Sequence, residues 1–250
     1  MTNNKIYFIG NWKMYGNLSS LNTINKVIQL SKSKKYKKAQ IIYCPPFTLL
    51  DQFLRKTKNT NLSVGAQDCH TENYYGAYTG SVSASMLKQL GSKYIILGHS
   101  EKRKNGDTNY IINKKIKSAL DVNLKVIFCI GETLSEKKRK KTSYILKKQI
   151  SQGLKKIKNL NNVIIAYEPV WSIGSGIVPQ ISDLNVQVKK IKEFIRGKFK
   201  FKKIKVLYGG SVNNKTIKSL IKIDKIDGFL IGGASINQNK FIDIIKKTIN

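Results

Sequence analysis

The chain has 250 residues, enough to bury a sizeable core without disulfide or metal staples, and 41% of them are hydrophobic, which excludes a disordered chain. Lys and Arg number 46 against 14 Asp and Glu, a formal net charge of +32. The densest basic runs, Lys32–Lys38, Lys137–Lys141 and Lys198–Lys205, lie far apart, so the charge reads as a solvated surface that draws in anionic ligands rather than a dedicated nucleic-acid arm.

In chain order, short apolar and β-branched runs predict strands at Tyr7–Asn11, Gln40–Cys44, Leu62–Gln67, Tyr94–Gly98, Lys125–Ile130, Val163–Tyr167, Lys205–Tyr208 and Gly228–Ile231. They suit a parallel sheet buried on both faces. Between them, helical spacing of apolar residues predicts helices over Ser19–Lys32, Tyr144–Ile157 and Ser182–Ile195. Eight strand–helix units without a linker are the arithmetic of a single-domain (β/α)8 barrel over residues 1–250, with a doubly wound open sheet as the competing arrangement. Cys44, Cys69 and Cys129 form no disulfide framework, and with His70 and His99 they make no zinc spacing, so no metal is expected. The polar start Met1–Lys5 fits no leader, and no apolar run reaches the roughly 18 residues of a membrane span. A soluble cytoplasmic protein with no membrane partner is expected.

The polar and glycine-rich residues fall at or just past the C-terminal ends of the strands, where a barrel carries its chemistry. Lys13, after the first strand, would project a cation into the barrel mouth. His99, after the fourth, sits at a helix start whose positive dipole end disfavours imidazolium; Ser100 is a suitable cap and Glu101 suits the first turn. His70, between Cys69 and Thr71, reads as structural. Glu168, after the sixth, can be a general base if its surroundings are dried. The following Val170–Gly176 pairs a bulky apolar centre with glycines, as a lid does. Gly209-Gly210-Ser211 and Gly232-Gly233 follow the seventh and eighth strands, the usual place for phosphate to meet backbone N–H groups.

These segments, with Asn11-Trp12-Lys13-Met14, Gly76-Ala77-Tyr78-Thr79-Gly80, Cys129-Ile130-Gly131-Glu132 and Asp227–Ala234, resemble the triosephosphate isomerase family across essentially the whole chain. The resemblance implies a cofactor-free isomerase of glycolysis and gluconeogenesis, with a link to the pentose phosphate pathway, interconverting glyceraldehyde 3-phosphate and dihydroxyacetone phosphate. It casts Glu168 as the base, His99 as the neutral electrophile and Lys13 as the substrate-binding cation. Asn11 becomes the polar companion of Lys13, Glu101 and Cys129 become supporting residues, and Pro169–Gly176 the lid. Gly174, Ser211, Gly232 and Gly233 become the phosphate grip. It also implies a homodimer in which the loop near Gln67–Ser85 carries Thr79 to the partner, close to Tyr15.

Some positions depart from the family's usual pattern: Tyr15 for a small polar residue, Ser81 for Glu, Lys102 for Arg, Ile177 for Lys, and a segment after Arg103, Lys104–Asn109, about one residue short. None removes a proton-transfer group; they predict a weaker dimer and a less robust fold. An aldolase on the same barrel would need a Schiff-base lysine inside a strand, and neither Lys125 nor Lys205 at strand starts nor Lys13 after one is well placed. Specific nucleic-acid binding would need aromatics among the lysines, whereas Tyr74, Tyr75 and Tyr78 cluster where Lys is scarce.

Overall fold

The computed structural model describes residues 5–249. Most of the polar start, residues 1–4, and residue 250 lie outside that range. Eight strands run in order: β1 (Ile6–Asn11), β2 (Ala39–Cys44), β3 (Ser63–Ala66), β4 (Tyr94–Leu97), β5 (Lys125–Ile130), β6 (Val163–Tyr167), β7 (Lys205–Tyr208) and β8 (Gly228–Ile231). Each pairs in parallel with the next, and β1 pairs in parallel with β8, which closes the sheet and excludes the open doubly wound arrangement. Around it lie α1 (Asn25–Lys32), α2 (Phe47–Thr57), α3 (Ala84–Leu90), α4 (Ser100–Lys104), α5 (Asn109–Asp121), α6 (Leu134–Lys138), α7 (Thr142–Gly153), α8 (Ile181–Phe199), α9 (Ile217–Leu220) and α10 (Gln238–Ile249).

The strands are apolar throughout because alternate residues enter two different cores. Ile9, Ile42, Ile96, Ile127, Ile164, Leu207 and Leu230 fill the barrel interior, with Cys44, Cys129 and Ala166 among them. Phe8, Ile41, Val126, Ile165 and Phe229 face the helices. Side chains alternate with period two. Carrying the inward alternation past each strand end therefore brings Asn11, Gly98, Gly131, Glu168, Gly209 and Gly232 to the mouth. Glycine at most of these positions leaves the mouth open around two polar side chains.

Two boundaries shift for local reasons. The predicted helix over Ser19–Lys32 is half 3-10 turn, Leu18–Ile24, before α1 begins. The Asn17 side chain caps that turn, and the Thr23 hydroxyl donates to the Ser20 carbonyl at 2.7 Å, so hydroxyl and amide groups compete with helical pairing. The third strand is shorter than Leu62–Gln67: Leu62 N–H donates to Thr60 Oγ1 at 3.2 Å, and the Gln67 side chain turns back to donate to the Cys44 carbonyl at 2.8 Å.

The run around Lys34–Lys38 precedes β2, and that around Lys198–Lys203 precedes β7, so both lie at the end of the barrel opposite the mouth. Among the described residues, no helix is long and apolar enough to cross a membrane.

Candidate active site

Trp12 fixes the loop after β1. It is buried and packs edge-on against Phe53, ring centroids 4.9 Å apart, and against Tyr43 at 6.1 Å, contacts of about 0.5–1.5 kcal/mol each beyond the area they bury. With Trp12 held on the helix side, Asn11 faces the mouth and Lys13 turns left-handed at φ +54°. The Asn11 side chain stabilises that turn by accepting from Lys13 N–H at 3.0 Å. The Lys13 ammonium then reaches Glu101 Oε1 at 2.6 Å.

His99, not the expected Ser100, caps α4: its Nδ1 accepts from Glu101 N–H at 3.3 Å. A nitrogen that accepts carries no proton, so this bond leaves the imidazole hydrogen on Nε2. Nε2 faces Glu168 Oε1 at 3.6 Å. Arg103 holds the turn beneath. It donates to the Gly98 carbonyl at 2.7 Å, Asn109 Oδ1 at 2.6 Å and the Cys129 carbonyl at 3.2 Å, and burial lowers its guanidinium below the ordinary arginine value.

Glu168 is only 3% exposed, and its Oε2 has no hydrogen-bond partner among the described residues. Burial raises its carboxyl above the usual range; His99, Cys129 and Lys13 pull it back only in part. Gly209 packs against it: a Cβ there would lie 2.7 Å from Glu168 Cγ. The buried Cys129 lies beneath, its thiol held neutral by burial and by the Glu168 charge.

Asn11, Lys13, His99, Glu168, Gly174, Ser211, Gly232 and Gly233 line a single cleft of about 290 Å³. The N–H groups of Gly174 and Gly233 donate to no backbone carbonyl of the described residues. A Cβ at Gly233 or Gly174 would meet nothing within 4 Å, so that side of the cleft is open space edged by amide donors. Glu101 stands at its rim and Cys129 under its floor. Tyr15 is 60% exposed and Thr79 is exposed, both away from the cleft. His70 is also outside it, stacked on Tyr78 with ring centroids 4.3 Å apart.

The family model for triosephosphate isomerase matches residues 6–248. The chain belongs to the triosephosphate isomerase family. It is 41% identical to the triosephosphate isomerase of Dictyoglomus thermophilum over 243 residues, covering 94% of this chain and 96% of that one. It is 40% identical to that of Thermodesulfovibrio yellowstonii over 250 residues, covering 97% and 99%. The crystal structure of triosephosphate isomerase from Bartonella henselae superposes with a TM-score of 0.89 at 32% identity, covering 98% of this chain and all of the other.

Two further features of this barrel were not evident as site features in the sequence. Glu132, buried just past β5, accepts from Trp171 Nε1 at 3.0 Å and from Tyr167 OH at 3.2 Å, while its carbonyl accepts from Val170 N–H at 2.9 Å. Those bonds hold down the start of the segment Val170–Gly176, and Lys137 lies over the Trp171 ring, 3.9 Å from its centroid. The sequence signal was a carboxylate at a strand end in a chain with only 14 acidic residues. The second is a buried ammonium: Lys115 Nζ lies 2.9 Å from both Asp68 and Asp107, and Lys102 also reaches Asp68 at 2.8 Å. Burial alone would lower Lys115, but the hydrogen bonds to both carboxylates hold it above its ordinary value. This network ties the base of the Thr79 loop to the short segment after Arg103.

Proposed function

We propose that the chain interconverts D-glyceraldehyde 3-phosphate and dihydroxyacetone phosphate by moving one proton between adjacent carbons through an enediolate. Glu168 is the base: a dried carboxylate with a raised pKa is a stronger base toward a carbon acid than a solvated one. His99, with its proton on Nε2, donates to the substrate oxygens as charge builds on them. The Lys13 cation faces the same charge, and Asn11 holds Lys13 in its left-handed turn. The backbone N–H groups of Gly174, Gly232 and Gly233 hold the phosphate, with Ser211 beside them. The observation that carries this reading is the 3.6 Å approach of His99 Nε2 to Glu168 Oε1 at the mouth of one cleft, with amide donors on its far side.

The chain would work as one barrel domain, in the cytoplasm, and as a homodimer. Support for the dimer comes from apolar side chains at the mouth end: Met14 is 94% exposed, Tyr75 71% and Tyr74 66%. Side chains of this kind in the loops after β1 and β3 suit a second copy of the same surface.

The test is isomerisation by the purified chain, offered glyceraldehyde 3-phosphate and, separately, unphosphorylated glyceraldehyde, beside a His99→Gln variant. The phosphorylated substrate should turn over and the unphosphorylated one should not. The variant should lose roughly 10²–10⁴-fold in kcat. Equal rates on the two substrates would overturn the phosphate assignment, and an unchanged variant would overturn the role of His99.

A further inference from the structure

Lys5 leads into β1, and the segments 33–38, 58–62, 91–93, 122–124, 154–162, 200–204 and 221–227 lead from the helices into the other seven strands. All of them therefore lie at the end of the barrel opposite the mouth. Together they hold fifteen lysines, no arginine and two aspartates, Asp224 and Asp227. Each of the fifteen lysines is exposed. Among the described residues only Lys225 of the fifteen has a carboxylate nearby, Asp224 at 4.0 Å. Asp227 is already held by Lys192 at 2.7 Å and Lys205 at 3.0 Å, so it offsets none of the fifteen. The mouth is different. Its segments, 12–17, 45–46, 67–83, 98–108, 131–141, 168–180, 209–216 and 232–237, carry ten basic against seven acidic residues. The closed sheet thus gathers on one face a positive charge that looks evenly spread along the sequence.

We propose that this face binds the phosphodiester backbone of nucleic acid duplexes, without regard to base sequence. A lysine ammonium is a point charge that meets phosphate but does not read a base edge with the fixed fork of an arginine. The exposed amides of Asn59, Asn61, Asn159 and Asn161 lie among the lysines and add donors for phosphate and sugar oxygens. A groove of about 510 Å³ runs between Lys5, Lys32, Lys34 and Lys37, with Gln40 and Asn61 on its wall and no acidic residue around it. Unpaired bases find nothing to stack on, because Tyr36 and Phe201 are partly buried and packed on the core. A membrane finds little to hold: among the described residues, Ile221, 40% exposed, is the one large apolar side chain these segments present. Lys156, Lys200 and Lys225 stand in left-handed turns, φ +61°, +55° and +55°, so the charge is kept even where the backbone favours glycine. The catalytic cleft and the loops after β1 and β3 are at the other end, and a bound duplex leaves both uncovered.

The experiment follows binding of the purified chain to fluorescent RNA and DNA duplexes of about 20 base pairs, by anisotropy, across a range of salt. A variant carrying Lys34→Gln, Lys37→Gln, Lys156→Gly and Lys200→Gly should bind both at least about tenfold more weakly near 0.1 M salt. At roughly 0.9 per phosphate contact, its slope of log affinity against log salt should be shallower by about 2–4. The two glycines relieve left-handed turns, so the variant keeps its fold, and melting temperature checks this. A control removes the same charge from exposed positions on the helical flanks, with Lys26→Gln, Lys148→Gln, Lys218→Gln and Lys240→Gln. It should stay within about threefold of the wild type, since those lysines meet no phosphate. Equal losses in the two variants would overturn the proposal, because net charge alone gives that pattern. Formaldehyde crosslinking of the wild type to the duplex, with peptide mapping, needs no variant. Crosslinks should concentrate in segments 33–38, 154–162 and 200–204, and crosslinks spread over all exposed lysines would overturn the face. A preference of more than about tenfold for one duplex sequence would overturn backbone-only contact. Tighter binding to phosphatidylglycerol vesicles than to duplex, at equal phosphate, would make the partner a membrane and overturn the choice of nucleic acid.

Discussion

Gly209→Ala isolates the placement of Glu168 from everything else in the cleft. The backbone at Gly209 is not left-handed, so an alanine there carries no conformational strain of its own. The added methyl would stand 2.7 Å from Glu168 Cγ and 2.9 Å from Oε1. Non-bonded carbons settle at roughly 3.5–4.0 Å, so the carboxylate must retreat by about 1 Å. The Glu168 backbone is seated tightly on Gly131, where a Cβ would lie 1.8 Å from the Glu168 carbonyl oxygen, so the side chain rather than the main chain must give. A misplacement of about 1 Å lowers a proton-transfer rate roughly 10²-fold, about 2.7 kcal/mol of barrier. The loss should fall on kcat, with KM moving less than about threefold, because the amides at Gly174 and Gly233 are untouched. Steady-state kinetics at saturating substrate measures it, with circular dichroism as the check on folding. A folded variant with kcat within about threefold of wild type would refute the reasoning.

The proposed base Glu168 must be ionised to act, so kcat/KM should fall as pH is lowered, with a midpoint above the ordinary carboxylate range; a midpoint inside that range would contradict the role of burial. The same raised pKa has a stability consequence. A group whose folded pKa lies above its unfolded one stabilises the fold at pH values below both, and that contribution is lost as pH rises through the folded value. Glu168→Gln should therefore be more stable than wild type at pH 7 by about 0.5–2 kcal/mol in urea unfolding, with the gap closing in acid. Lys115→Met leaves the half-buried Asp107 without its ammonium, while Asp68 keeps Lys102, and should destabilise by about 3 kcal/mol; a change below about 1 kcal/mol would show that the network is slack. Trp171→Phe removes the donor to Glu132 and should raise KM by loosening the start of the lid, while melting temperature changes little.

The strands were legible because each is an apolar run entering two cores at once, so no polar alternation blurs it. Their ends were less so. Leu62 and Gln67 look like strand residues until neighbouring side chains take their hydrogen bonds, and Ser20 and Thr23 read as helical until their hydroxyls turn on the backbone. Asn11, Lys13, His99 and Glu168 could be picked out from their places at strand ends, because the barrel gathers those ends on one face. The packing of Gly209 on Glu168, the bonds of Glu132 and the contact of Ser172 with Ser211 were not legible. Gly209 reads as a phosphate glycine in the sequence, but it makes room for Glu168. Ser172 and Ser211 are 39 residues apart, and their interlock exists only because the loops after β6 and β7 are neighbours around a closed sheet. Nothing in the sequence singles out Lys115 among the 46 Lys and Arg; the fold does, by bringing Asp68 and Asp107 to it.

The most direct test of the account is isomerisation of glyceraldehyde 3-phosphate by the purified chain beside its Glu168→Gln variant, prepared identically. The account requires turnover in the wild type and its near-complete loss in the variant, with the variant folded and more stable at neutral pH. Turnover that survives in Glu168→Gln, or a folded wild type that does not turn over, would contradict it.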